Sequence, residues 1–112
     1  MQHWNLLDIA APDGTRDPIV VHSGDEARAV LIVLTPGQAL GEHQVKECAW
    51  VTVVDGTATI SAGGETIEAA TGMLVRFEPH ERHAIRSADG ARLLLVLAPW
   101  PGEGHYRGDP RA

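Results

Sequence analysis

The chain has almost no cysteine or lysine and few aromatic residues. One cysteine, Cys48, stands in 112 residues, which rules out an internal disulfide. Cys48 reads as a small buried hydrophobe, with a pocket ligand or a reactive thiol as the alternative. Lys46 is the only lysine, and the formal net charge is −6 at pH 7. The arginines are scattered, with no basic run or stripe, so a nucleic-acid partner is not expected. The acidic balance serves solubility. No apolar run approaches the roughly 18 residues that a membrane-crossing helix needs, so no membrane partner is expected either. The start, Met1-Gln2-His3-Trp4-Asn5, shows no basic region followed by an apolar core. That argues against a secretory signal and makes the cytoplasm the expected location. Nucleophile elbows, phosphate-cradling glycine loops and C-x-x-C pairs are also missing.

What is present is a series of short strand signals separated by turns. The hydrophobic fraction of 44% and charged fraction of 21% suit one globular domain, read here as residues 1–112 with a core over about 28–100. Strands are expected at Pro18–Val21, Ala29–Leu34, Ala49–Val54, Thr57–Ser61, Glu65–Glu68, Met73–Phe77, His83–Arg86 and Arg92–Ala98. Asp55-Gly56 reads as a hairpin dipeptide, and Ala62-Gly63-Gly64, Thr71-Gly72 and Ala88-Asp89-Gly90 as further turns. A short helical turn is expected near Trp4–Ala10. The Pro- and Gly-rich tail from Pro99 should be irregular, with Trp100 and Tyr106 packed against a barrel end or a dimer partner and Arg107–Ala112 frayed. Strands recurring at this interval give an all-β sandwich or barrel.

Two motifs carry the chemistry. The first begins at Gly37, reaches His43 after five residues and closes at Gly56; the second runs from Gly72 to His83. With these spacings the chain resembles a small single-domain cupin over about residues 28–100. The resemblance implies a cupin double-stranded β-helix, a jelly-roll barrel of about six to eleven strands, and a homodimer. The family's first motif, G-x5-H-x-H-x3,4-E-x6-G, is matched at Gly37, His43 and Gly56, with Val45 at the second histidine and Ala49 at the glutamate. In the second, G-x5-P-x-G-x2-H, Gly72 and His83 match, with Glu78 at the proline and His80 at the glycine.

The resemblance places His43 and His83 in the barrel as candidate metal ligands or catalytic acid–base groups. A divalent Mn, Fe, Ni, Cu or Zn would suit imidazole donors, but Val45 and Ala49 cannot ligate. Glu47 or Cys48, in a segment where a bulge can re-aim a side chain, is the candidate third ligand. The bland alternative is a pair of pocket histidines bonded to each other, to water, or to Glu42 or Glu81. The pocket is expected to include Val45, Ala49, Val51, Val75, Phe77 and His80. By strand parity Gln44, Trp50 and Arg76 point outward, Trp50 as a packing or dimer residue. An anion clamp from Arg76, Arg82 or Arg86 is a minor alternative, and His3, His22 and His105 are expected at the surface. Two functions remain open. One is a metal-dependent or histidine acid–base enzyme of lyase, isomerase or dioxygenase type, acting on a small organic acid or carbonyl compound. The other is a metal-free small-ligand-binding or sensor protein.

Overall fold

The computed structural model describes residues 1–11 and 17–101. The expectations for His105, Tyr106 and Arg107–Ala112 lie outside the described residues. Within them there are eight strands and no helix: β1 (Ile19–Ser23), β2 (Arg28–Leu34), β3 (Ala39–His43), β4 (Cys48–Ala62), β5 (Glu65–Ala70), β6 (Leu74–Phe77), β7 (His83–Arg86) and β8 (Ala91–Ala98). All pairings are antiparallel.

One strand builds both walls. The first half of β4 pairs with β6 and β8, as in Val51 opposite Val75 and Leu95. Its second half pairs with β5 and β7, as in Ile60 opposite Ile67 and Ile85. The change occurs at Asp55-Gly56, where the register against β8 slips between Val53 and Asp55 and Gly56 takes φ 95°. The hairpin expected at this dipeptide is therefore a bulge that bends β4 without reversing it. Bulges impose such a bend, and glycine supplies the positive φ. The reversal comes at Gly63-Gly64, with φ 57° and 80°; Ala62 faces Glu65 across it, the geometry of a two-residue hairpin with both central residues at positive φ.

Alternation along the strands fills the barrel. Ile32, Leu34, Ala49, Val51, Val53, Ala58, Ile60, Phe77, Ile85, Leu93 and Leu97 form one buried cluster. Trp100 joins it at 4% exposure. Its backbone N–H donates to Glu26 O at 3.1 Å, and the Arg28 guanidinium lies 4.8 Å from its ring centre. The tail aromatic thus seals against the barrel, as expected of Trp100. The segment near Trp4–Ala10 contains a turn, not a helix: the Leu7 N–H donates to Asn5 Oδ1 and the Asp8 N–H to Asn5 O, each at 3.0 Å. An asparagine side chain that satisfies the backbone in this way competes with helix formation.

Register separates the two ends of the barrel. Ala62, His83 and His43 share one end, which also holds the Gly63-Gly64 turn. Gly56, Thr71 and Gly90 meet at the other: the Thr71 N–H donates to Gly56 O at 3.1 Å and the Gly56 N–H to Thr71 Oγ1 at 3.0 Å. Ser87, 2% exposed, locks that end, donating to Thr57 O at 2.6 Å and accepting from the Gly90 N–H at 2.8 Å.

Candidate functional site

His43 ends β3 and His83 begins β7, and the two are directly opposed in register. Their ring centres are 4.3 Å apart with the planes at 63°. His83 also stacks on Phe77 of the facing wall, with ring centres 4.0 Å apart and planes 4° apart. His83 is 3% exposed, whereas His43 is half-buried. The spacing of the two glycine motifs thus delivers two imidazoles to one point, with an aromatic wall behind one of them.

Each ring is oriented by a carbonyl two residues away. His43 Nδ1 lies 2.8 Å from Gly41 O, and His83 Nδ1 lies 3.0 Å from Glu81 O. A carbonyl only accepts, so each Nδ1 carries the hydrogen, and in the neutral form each Nε2 keeps a bare lone pair. Burial pushes the His83 pKa below its ordinary value of 6.5, opposed by the bond to Glu81 O, while a charge on His43 would push it down further. At neutral pH His83 is therefore an uncharged acceptor through Nε2.

Two cavities open at this end of the barrel; His83 lines the second and His43 lines neither. One, of about 290 Å³, lies between the two walls and is lined by Ile60, Ala62, Ile67, Val75 and Phe77, with Met73, Leu74 and Glu81 among the residues at its margin. The other, of about 370 Å³, lies beside the β4–β5 turn and is lined by Ser61–Thr66 together with Glu42, Arg82, His83 and Ala84. Ala62 and Glu65 border both. Phe77 lines the first and His83 the second, so their stack forms part of the partition.

The other residues singled out by sequence fall as follows. Val75 and Phe77 line the first cavity. Ala49 and Val51 are closed into the core at 0% and 2% exposure, and half-buried Val45 packs against it. His80 is exposed in the turn before β7 with φ 66°, its N–H donating to Val45 O at 2.8 Å. Glu47 is buried at 1% exposure, but among the described residues no three His, Cys, Asp or Glu side chains lie close enough to hold one metal ion. Glu47 and Cys48 therefore do not join the two histidines into a three-ligand set. Cys48 is a buried free thiol whose Sγ–H donates to Phe77 O at 3.5 Å. Trp50 and Arg76 face outward together, the guanidinium 5.4 Å from the indole centre, and Arg76 also borders the first cavity. Arg76 is bound by Glu78 at 2.6 Å and Arg82 by Glu42 at 2.5 Å. Gln44, His3 and His22 are exposed.

Sequence reading missed the contribution of the β4–β5 hairpin to the cavities. Alternation carried the signal: Ile60, Ala62 and Ile67 share the inward face once the turn is set at Gly63-Gly64.

The model of the cupin domain matches residues 30–98. Among solved structures, a protein from Thermus thermophilus is similar at 28% identity and TM-score 0.78, covering 88% of this chain and 98% of that one. An RmlC-like cupin protein from Desulfovibrio desulfuricans aligns at 22% identity and TM-score 0.79, covering 88% and 97%. A Klebsiella pneumoniae protein with a double-stranded β-helix domain aligns at 19% identity and TM-score 0.78, covering 91% and 93%. A search of curated proteins found no match. With the family match spanning most of the barrel and both glycine–histidine motifs inside it, the chain belongs to the cupin family.

Proposed function

We propose that this cupin binds a small organic molecule at the histidine end of its barrel, with His43 and His83 orienting it through their Nε2 lone pairs. The observation that supports this most is the His83 ring: buried, held by Glu81 O, stacked on Phe77, and forming part of the wall of a cavity. Across the Phe77 stack lies the second element of such a site, the apolar walls of the neighbouring cavity; apolar walls with a few convergent polar atoms are how small-molecule sites are built. A neutral His83 can also accept a proton from a bound ligand, so acid–base chemistry is open to the same pair. The same reading places the protein in the cytoplasm as a homodimer, joined through the outward face that carries Trp50 and Leu74.

One observation favours a second reading, a metal-dependent enzyme of lyase, isomerase or dioxygenase type. Tying Nδ1 to a carbonyl and leaving Nε2 bare is how metal-ligating histidines are oriented. His43 and His83 would hold a Mn, Fe, Ni, Cu or Zn ion, which would supply Lewis-acid polarisation of a ligand oxygen. The donor set fits only in part, because among the described residues no third His, Cys, Asp or Glu side chain completes it.

The first reading is tested by mapping a fragment library onto the amide spectrum of the metal-free protein. Hits should perturb Ala62, Val75, Phe77 and His83; hits confined to other surfaces would overturn it. Elemental analysis of untagged protein beside the H43A/H83A variant separates the two readings. A stoichiometric transition metal that the variant loses would establish the second.

A further inference from the structure

His43 and His83 meet because β3 carries one residue more than its partner over the same interval. Leu40 pairs with Ile85 and His43 with His83, with a register shift between the two pairs. Gly41 and Glu42 on β3 therefore stand against the single residue Ala84 on β7. Two residues opposite one make a β-bulge, which re-aims the side chains of the strand that carries it. On β7 the inward residues are two apart: Ile85 and His83, each 3% exposed. On β3 they are three apart: Leu40 packs against the core cluster, and the His43 ring lies 4.3 Å from the His83 ring. Strand residues alternate faces, so an unbulged β3 would set Glu42 opposite His83 and turn His43 away. The bulge also supplies the acceptor that orients the ring, since His43 Nδ1 lies 2.8 Å from Gly41 O.

The glycine in this bulge is not what fixes it. A β-carbon on Gly41 would meet nothing within 4 Å, and its φ is outside the left-handed region, so the freedom peculiar to glycine is unused. Glu42, by contrast, is tied: Arg82 Nε–H donates to Glu42 Oε1 at 2.5 Å. Glu42 directly precedes His43 and Arg82 directly precedes His83, so this ion pair joins the two histidine-bearing segments one position from the site. The Arg82 and Glu42 side chains are 66% and 59% exposed. An exposed pair adds little to overall stability, but it acts on a choice between two registers that differ by one residue.

On the reading that the histidine end of the barrel binds a small molecule, we infer that Glu42 and Arg82 are positioning residues. Their ion pair keeps the Glu42 carboxylate at the exposed rim and fixes the Gly41–Glu42 bulge in the arrangement that presents His43 beside His83. Both residues act through the place of the His43 ring.

Ring-to-ring NOEs in the native chain and three variants test this. Native His83 should show NOEs to His43 and to Phe77, whose ring centres lie 4.3 and 4.0 Å away. The Phe77 signal is the internal reference, because misfolding would weaken both. In Arg82→Glu the ratio of inward to outward His43 should fall about tenfold, since the change removes one exposed attraction and adds one repulsion. The His43–His83 NOE should weaken accordingly while the Phe77–His83 NOE holds. The charge-swapped Glu42→Arg/Arg82→Glu variant should restore it, and Gly41→Ala should leave both signals unchanged. Four results overturn the inference and leave the pocket reading standing: an undiminished His43–His83 NOE in Arg82→Glu, loss of both NOEs together there, no recovery in the swapped variant, or loss of the contact in Gly41→Ala. Absence of the His43–His83 NOE from the native chain overturns the inference and the pocket reading together. Fragment hits confined to other surfaces, with every NOE as expected, overturn the pocket reading alone.

Discussion

Desolvation is the largest influence on His83, and its consequence for stability has a definite sign. The folded-state pKa lies below that of the unfolded chain. Between the two values the unfolded chain holds more protons, so stability rises with pH. The metal-free protein should therefore lose stability as pH falls through about 6.5, and the loss should level off below the folded value; each pH unit of depression corresponds to about 1.4 kcal/mol. Urea midpoints from pH 8 to 5 check this. The His83→Phe variant should flatten the profile, and a flat profile in the native protein would contradict the assignment. Phe77, at 2% exposure, is the other half of the stack. Phe77→Ala should cost about 3–5 kcal/mol by equilibrium unfolding. Both histidines were legible from their spacing to Gly37 and Gly72, because each motif counts residues along one strand and its turn. Glu47 was not. Its position depends on how the segment between β3 and β4 is bent, which no periodicity records.

At the scale of elements, β4 departs most from its sequence signal. Asp55-Gly56 has the composition of a tight turn, yet the chain continues through it because both flanking segments already have partners on two walls. Local turn preference is worth less than those ladders. The glycine remains essential for another reason: a β-carbon at Gly56 would lie 2.3 Å from Gly90 O, at φ 95°. Gly72 has the same φ of 95° but nothing within 4 Å. Gly56→Ala should therefore cost about 3 kcal/mol or more, against about 1 kcal/mol for Gly72→Ala, since only the first adds a backbone clash to the dihedral strain. Comparable losses in thermal and urea unfolding would contradict the close approach. Strand β3 escaped the sequence reading because Gly41 interrupts it and its exposures barely alternate; pairing with β7 makes it a strand.

At the scale of the molecule, the barrel was legible because strand and turn signals recur at regular intervals and the two glycine motifs repeat. The outward face was less so. Register puts Trp50 beside Val96 and Arg76, and Thr52 beside Leu94 and Leu74, and Leu74 is 61% exposed. An apolar group of this kind on one sheet face is where the proposed homodimer would form. Light scattering at tens of micromolar should give twice the chain mass, and Leu74→Glu should shift the protein toward monomer. A native monomer at that concentration would contradict the dimer.

The most direct test of the site is long-range proton–nitrogen NMR of the two imidazoles, recorded on metal-free protein with and without the strongest fragment hit. Protonated Nδ1 and bare Nε2 are expected on both neutral rings, with a shift of at least one Nε2 when the fragment binds. A proton resident on Nε2 of either neutral ring, or binding that leaves all four ring nitrogens unmoved, would contradict the proposed site.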